Sequence, residues 1–195
     1  MKSQYEKYRY VWLVLVLSIL TGCSVAPIAE LAKYSEDGRD EYYQLRQWSL
    51  NGRVALSAGN DSWSASVEWR RFDDEENIRI AGPLGQGAVF INIADDYVDV
   101  DRGQGAVRYF DRSDEFVTDQ LGFYVPLRSL RYWVVGLVDP ELSSEEIING
   151  FEQGAWRVLY RQMQNTEYGS LPYKMDVSSQ DVRLKLIIDQ WNVHE

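Results

Sequence analysis

The residues best suited to chemistry are Leu20-Thr21-Gly22-Cys23, and the chemistry they suit is attachment of a lipid to sulfur. A thiolate is the natural nucleophile for a diacylglycerol group. Small residues at 21 and 22 let a peptidase approach the backbone just before it. The segment ahead has the features of a signal peptide. Lys2, Lys7 and Arg9, diluted only by Glu6, make a basic start. Val11 to Leu20 is then an uncharged run of about ten residues, short of the roughly 20 that span a bilayer. Cys23 is the single cysteine, so it has no disulfide partner, and lipid attachment would block a thiol that is a liability in an oxidising compartment.

Other chemistry is scarce. The single histidine is His194, a poor candidate for a base or a metal ligand, so Ser-His-Asp, Cys-His and most zinc or copper sites drop out. Gly82-x-x-Gly85-x-Gly87 lacks the Lys-Ser/Thr of a phosphate loop and precedes strand-like residues, so it reads as a turn. Asp73-Asp74-Glu75-Glu76 and Asp95-Asp96 lack the alternation of a calcium loop and read as solvated turns. Nothing selects a carboxylate pair of the glycosidase kind. The expectation is a protein that is not an enzyme and uses no cofactor and no metal.

The 20–23 segment resembles the lipobox of bacterial lipoproteins. That resemblance implies a leader over 1–22, lipid attachment at Cys23, and, with Ser24 rather than aspartate following, residence at the outer membrane. The leader holds three of the 20 basic and one of the 30 acidic side chains, so residues 23–195 carry 17 and 29, net −12. Such acidity disfavours nucleic acid and argues against electrostatic docking to anionic lipid heads, leaving membrane contact to the anchor or to apolar side chains.

The elements that must carry any site follow from periodicity. Residues 23–44 are polar and mixed and read as the lipidated end and a tether, ending near a short helix, with the globular part over 45–195. Trp48, Leu50, Val54 and Leu56 alternate with polar residues, and Trp63, Val67 and Trp69 do the same after a Gly-Asn-Asp turn. Further strands are expected from Ile78, at 88–93, near 97–101 and at 106–110, an antiparallel meander. Helical spacing takes over from Ser113 or Asp114 to Leu121 and again from Leu127 to Leu137, and strands return at 156–161, 172–177 and 182–188. Strands, helices, strands is the order of a partial barrel with helices to cover it.

Trp-x-Leu-x-Gly-Arg-Val-Ala at 48–55, Pro-Leu-Gly at 83–85, Val-Pro-Leu-Arg-Ser-Leu-Arg-Tyr-Trp-Val-Val-Gly-Leu at 125–137 and Val-Arg-Leu-Lys-Leu-Ile-Ile-Asp-Gln-Trp at 182–191 together resemble the outer-membrane lipoprotein receptor family LolB. The resemblance implies a mainly β fold, an unclosed antiparallel β-barrel (a half-barrel) covered by helices over an apolar cavity. It also implies monomeric work without a cofactor, taking acylated lipoproteins from the periplasmic carrier LolA to the inner leaflet of the outer membrane. A leucine on a protruding loop then helps cargo into the bilayer, and the matching position is Leu84. The residues expected to line the cavity are Trp63, Val67, Trp69, Ile80, Val89, Ile91, Val158, Leu184, Leu186 and Ile188 on strands, with Leu130, Trp133, Val134 and Leu137 on the lid. The competing expectation is a structural or interaction lipoprotein with a filled core.

Overall fold

The computed structural model describes residues 33–94, 96–109 and 124–194. Cys23 and the helix expected over 113–121 lie outside them. Leu31–Glu195 is one compact unit with a hydrophobic core of its own.

Among the described residues eleven strands make one antiparallel sheet: β1 (Gln47–Ala58), β2 (Asp61–Phe72), β3 (Glu75–Ala81), β4 (Val89–Ile93), β5 (Val98–Asp101), β6 (Ala106–Tyr109), β7 (Ser144–Ile147), β8 (Gly150–Gln153), β9 (Trp156–Thr166), β10 (Gly169–Ser178) and β11 (Val182–His194). Consecutive strands pair throughout except β6 and β7, and β1 lies against β11 at the centre. The spatial order is β6-β5-β4-β3-β2-β1-β11-β10-β9-β8-β7, so the sheet stays unclosed, ending at β6 and β7. A helix, α1 (Leu127–Trp133), comes between those two edge strands in the chain.

One face of the sheet gathers the apolar residues that alternation selects. Leu184 stands opposite Leu56, which stands opposite Trp63; Trp69, Ile78 and Ile91 form a second row across β2, β3 and β4. β11 keeps its inner face through a bulge, because Asn51 faces Gln190 while Gly52 faces Ile188, leaving Asp189 as the extra residue. The close approach explains the glycine of the Gly-Arg-Val-Ala run. A Cβ on Gly52 would collide with the Ile187 carbonyl oxygen.

Two features differ from expectation. β7 and β8 escaped the sequence reading because four-residue strands, one of them Ser-Glu-Glu-Ile, carry almost no period. The domain also begins earlier than residue 45. Tyr34 stacks on Tyr160 with ring centroids 4.2 Å apart, Tyr42 is buried, and Arg39 is only 6% exposed. Arg39 donates to Val135 O at 2.6 Å and to Ser170 O at 3.1 Å, so a polar-looking segment is clasped to the core by backbone carbonyls.

Burial pushes the Tyr34 and Tyr160 phenols well above their ordinary value. Unfolded tyrosines ionise near about pH 10, so this contribution to stability is complete below that pH and is lost as pH rises toward the folded-state values. The Tyr34 hydroxyl is buried with no hydrogen-bond partner among the described residues. Tyr34→Phe is therefore expected to be neutral or up to about 1 kcal/mol stabilising at pH 7. It should also make the alkaline loss shallower in urea titrations on either side of pH 10. A Tyr34→Phe protein with unchanged alkaline steepness would contradict that origin.

An apolar cavity and a protruding leucine

α1 lies over the concave face, starting after Val125-Pro126 and ending where Gly136 adopts φ +87. Its buried side, Leu127, Ser129, Leu130 and Trp133, follows from i, i+3 spacing. Beneath it is a cavity of about 60 Å³ lined wholly by apolar side chains: Val54, Leu56, Trp63, Val67, Trp69, Ile78, Ile80, Ile91, Val125, Leu127, Leu130, Leu184 and Leu186. Of the residues expected from sequence, Trp63, Val67, Trp69, Ile80, Ile91, Leu130, Leu184 and Leu186 meet there. Val134, Leu137, Val158 and Ile188 are packed in the core instead. Val89 lines a hollow beside the Leu84 loop, and Trp133 a pocket near β8.

Val54, Leu56, Ile78, Val125 and Leu127 join the lining without having been expected. The signal for the strand residues was present, since each lies across from a residue that was named.

The last turn of α1 carries two kinds of contact. Around its C-terminal end, Trp133 Nε1 donates to Gln153 Oε1 at 2.8 Å, and Tyr160 Oη donates to Trp133 O at 2.7 Å. Gln153 also receives the Asp139 amide at 2.9 Å and donates back to Asp139 O at 2.8 Å. Toward β3 the connection is one ion pair, Arg131 Nε to Glu76 Oε1 at 3.0 Å, at an angle that is not a hydrogen bond. Glu76 Oε2 accepts the Trp69 indole N–H at 3.0 Å. Glu76 was expected in a solvated turn, yet it is 1% exposed. Its parity with Ile78 and Ile80 on β3 puts it on the inner face, which the run of four acids concealed.

Leu84 is the opposite case. It sits in the short 3-10 turn Pro83–Gly85, is 97% exposed, and has φ +59 and ψ +20, the left-handed region that L-residues avoid. A large apolar side chain in a strained backbone conformation with nothing packed on it contributes nothing to the fold. The hollow behind the loop shares Trp63 and Ile80 with the cavity under α1, so the two spaces adjoin.

His194 ends β11 opposite Gln47. Among the described residues no three His, Cys, Asp or Glu side chains are grouped to hold a metal, and no helix is long and apolar enough to cross a membrane.

The family model for outer membrane lipoprotein LolB matches residues 46–191. The chain belongs to the LolB family. Outer-membrane lipoprotein LolB of Pseudomonas syringae pv. syringae is 31% identical over 94% of this chain and 95% of its own length. The LolB of Marinomonas sp. is 26% identical over 95% of this chain and 98% of its own length. A LolA superfamily protein from Nitrosomonas europaea superposes with a TM-score of 0.51 at 7% identity, over 77% of this chain and 87% of that one. That likeness concerns the fold, and the LolB fold here is the half-barrel with a helical cover.

Proposed function

We propose that this protein is an outer-membrane lipoprotein receptor. It accepts acylated lipoproteins from the soluble carrier LolA, shelters their acyl chains under α1, and passes them into the inner leaflet of the outer membrane. It does so as a monomer and without turnover of a substrate. Cys23 carries the lipids that hold it at that membrane, facing the periplasm, and Leu84 leads the cargo into the bilayer.

The observation that carries this reading is the wholly apolar cavity beneath a helix held to β3 by one ion pair. Exposing acyl chains costs about 0.8 kcal/mol per methylene, so three chains of roughly 15 methylenes oppose crossing water by some 36 kcal/mol. Covering them is the whole task. A free volume of about 60 Å³ is roughly that of two water molecules, so acyl chains enter only as α1 is displaced. The Glu76–Arg131 contact is the part that gives, while the Gln153 network, in the same last turn, keeps the helix tethered to β8. Transfer without fuel then requires affinity for the acyl chains to rise from carrier to receptor to bilayer.

The test mixes the unlipidated chain from residue 24, which retains the Leu31–Glu195 unit, with a purified carrier–lipoprotein complex. Cargo should move to the receptor in stoichiometric amount. A folded receptor that takes none would end this reading.

A further inference from the structure

The Leu84 loop folds back over the outer face of the sheet, where Ser66 Oγ donates to Ala81 O at 3.1 Å and the Gly82 amide to Gln86 O at 3.0 Å. Between loop and sheet runs a groove of about 480 Å³ whose charged residues are Arg53, Lys174 and Lys185, with no carboxylate in its lining. These stand on three successive strands, Lys174 opposite Ile187 and Ile187 opposite Arg53, about 5 Å from one strand to the next. On the other flank of the loop, the hollow shared with Trp63 and Ile80 contains a single charged residue, Arg102.

The acids nearby are already engaged. Asp189 meets Arg53 at 2.8 and 3.0 Å, and Asp176, opposite Lys185, accepts from Arg161 at 2.7 Å. Lys174, Lys185 and Arg102 are exposed and form no ion pair among the described residues. A chain of net charge −10 thus surrounds its protruding leucine with cations on both sides.

We propose that this outer face is an electrostatic docking surface for the phosphates of lipid headgroups. Lys174 and Lys185, with Arg102 across the loop, seat on the bilayer surface while Leu84 passes between the headgroups. The proposal rests on the reading that the protein delivers lipids to a membrane. One apolar insertion binds a bilayer only marginally, and a basic patch beside it supplies the second attachment that makes contact effective. Each cation near an anionic surface strengthens binding about fivefold. The net acidity of the chain, which argued against such docking, is an average over surfaces. Locally the sign is reversed. Because the hollow beside the loop adjoins the cavity, seating this face on the bilayer brings the cavity's contents to the headgroup boundary.

The experiment floats the chain from residue 24 with vesicles of phosphatidylcholine, alone or mixed with phosphatidylglycerol, and scores cargo uptake from the carrier in parallel. The unaltered protein should prefer the anionic vesicles, and the preference should vanish in about 0.5 M salt. Lys174→Gln/Lys185→Gln should weaken anionic-vesicle binding about 30-fold, and Lys174→Glu/Lys185→Glu further, with cargo uptake unchanged. Equal binding of the unaltered protein to both vesicles overturns the proposal. So do substituted proteins, folded by circular dichroism, that bind vesicles as before. Loss of carrier docking with vesicle affinity intact would assign the patch to an acidic protein surface and overturn the lipid assignment. Anionic preference without cargo uptake would sink the receptor reading and leave the docking surface standing.

Discussion

Leu84→Glu should yield a folded receptor that takes cargo from the carrier and fails to deliver it to liposomes. The fold loses nothing, because Leu84 is 97% exposed and packs against nothing. The membrane step loses the burial of a leucine, roughly 1.5–3 kcal/mol, about 10- to 150-fold in insertion, and a carboxylate that resists leaving water adds to it. Leu84→Gly separates the two effects. At φ +59 glycine removes strain of about 1–2 kcal/mol, so this protein should melt at the same temperature or higher while still delivering poorly. Cargo recovered with floated liposomes, set beside a melting curve, measures both. Insertion at the unaltered rate by either variant would show that Leu84 has been given the wrong role.

Gly136→Ala should be strongly destabilising for a change of one methyl group. Gly136 adopts φ +87, where a Cβ is strained, and that Cβ would collide with the Arg39 guanidinium. Arg39 in turn is held by Val135 O and Ser170 O, with its guanidinium 4.4 Å from the Tyr42 ring centre. Backbone strain of about 1–3 kcal/mol combines with charge-assisted hydrogen bonds worth about 1.5–3 kcal/mol. A loss of about 3 kcal/mol or more follows, and a fall in melting temperature of roughly 6–12 °C for a domain of this size. Arg39→Ala alone should cost a similar amount. Because the added methyl clashes with Arg39 itself, the double variant should be clearly less damaged than the sum of the two. Additive losses in that double-mutant cycle would mean that the two residues act separately.

Period carried most of the fold. Inward rows such as Leu184-Leu56-Trp63 follow from strict alternation, and the helix at 127–133 from i, i+3 spacing. Pairing of β1 with β11 was beyond reach, since alternation names the face of a strand and never its neighbour. The cavity was legible as a set of inward residues, while the division between lining and packed core was not. Val158 and Ile188 share their pattern with Leu184 and Leu186 and differ only in which side chains lie above them. Arg39 and Glu76 were concealed for another reason. A charge with a buried partner looks in sequence like a charge in solvent. The two carbonyls that hold Arg39 and the cation that pairs with Glu76 lie 55 residues or more away in the chain, the nearest being Arg131 for Glu76, and only Trp69, seven residues from Glu76, is close.

The seam between β1 and β11 bears on when this protein can fold. Arg53 and Asp189 face each other there across a sequence separation of 136 residues, so the two halves of the sheet stay unjoined until β11 has been made. Contacts that distant must overcome a long loop closure before they stabilise anything, and they form late. While synthesis is under way the chain therefore lacks its central pairing and remains pliable. The leader that we propose over residues 1–22 has use for that delay, because threading through a narrow export channel requires a chain that has not yet locked.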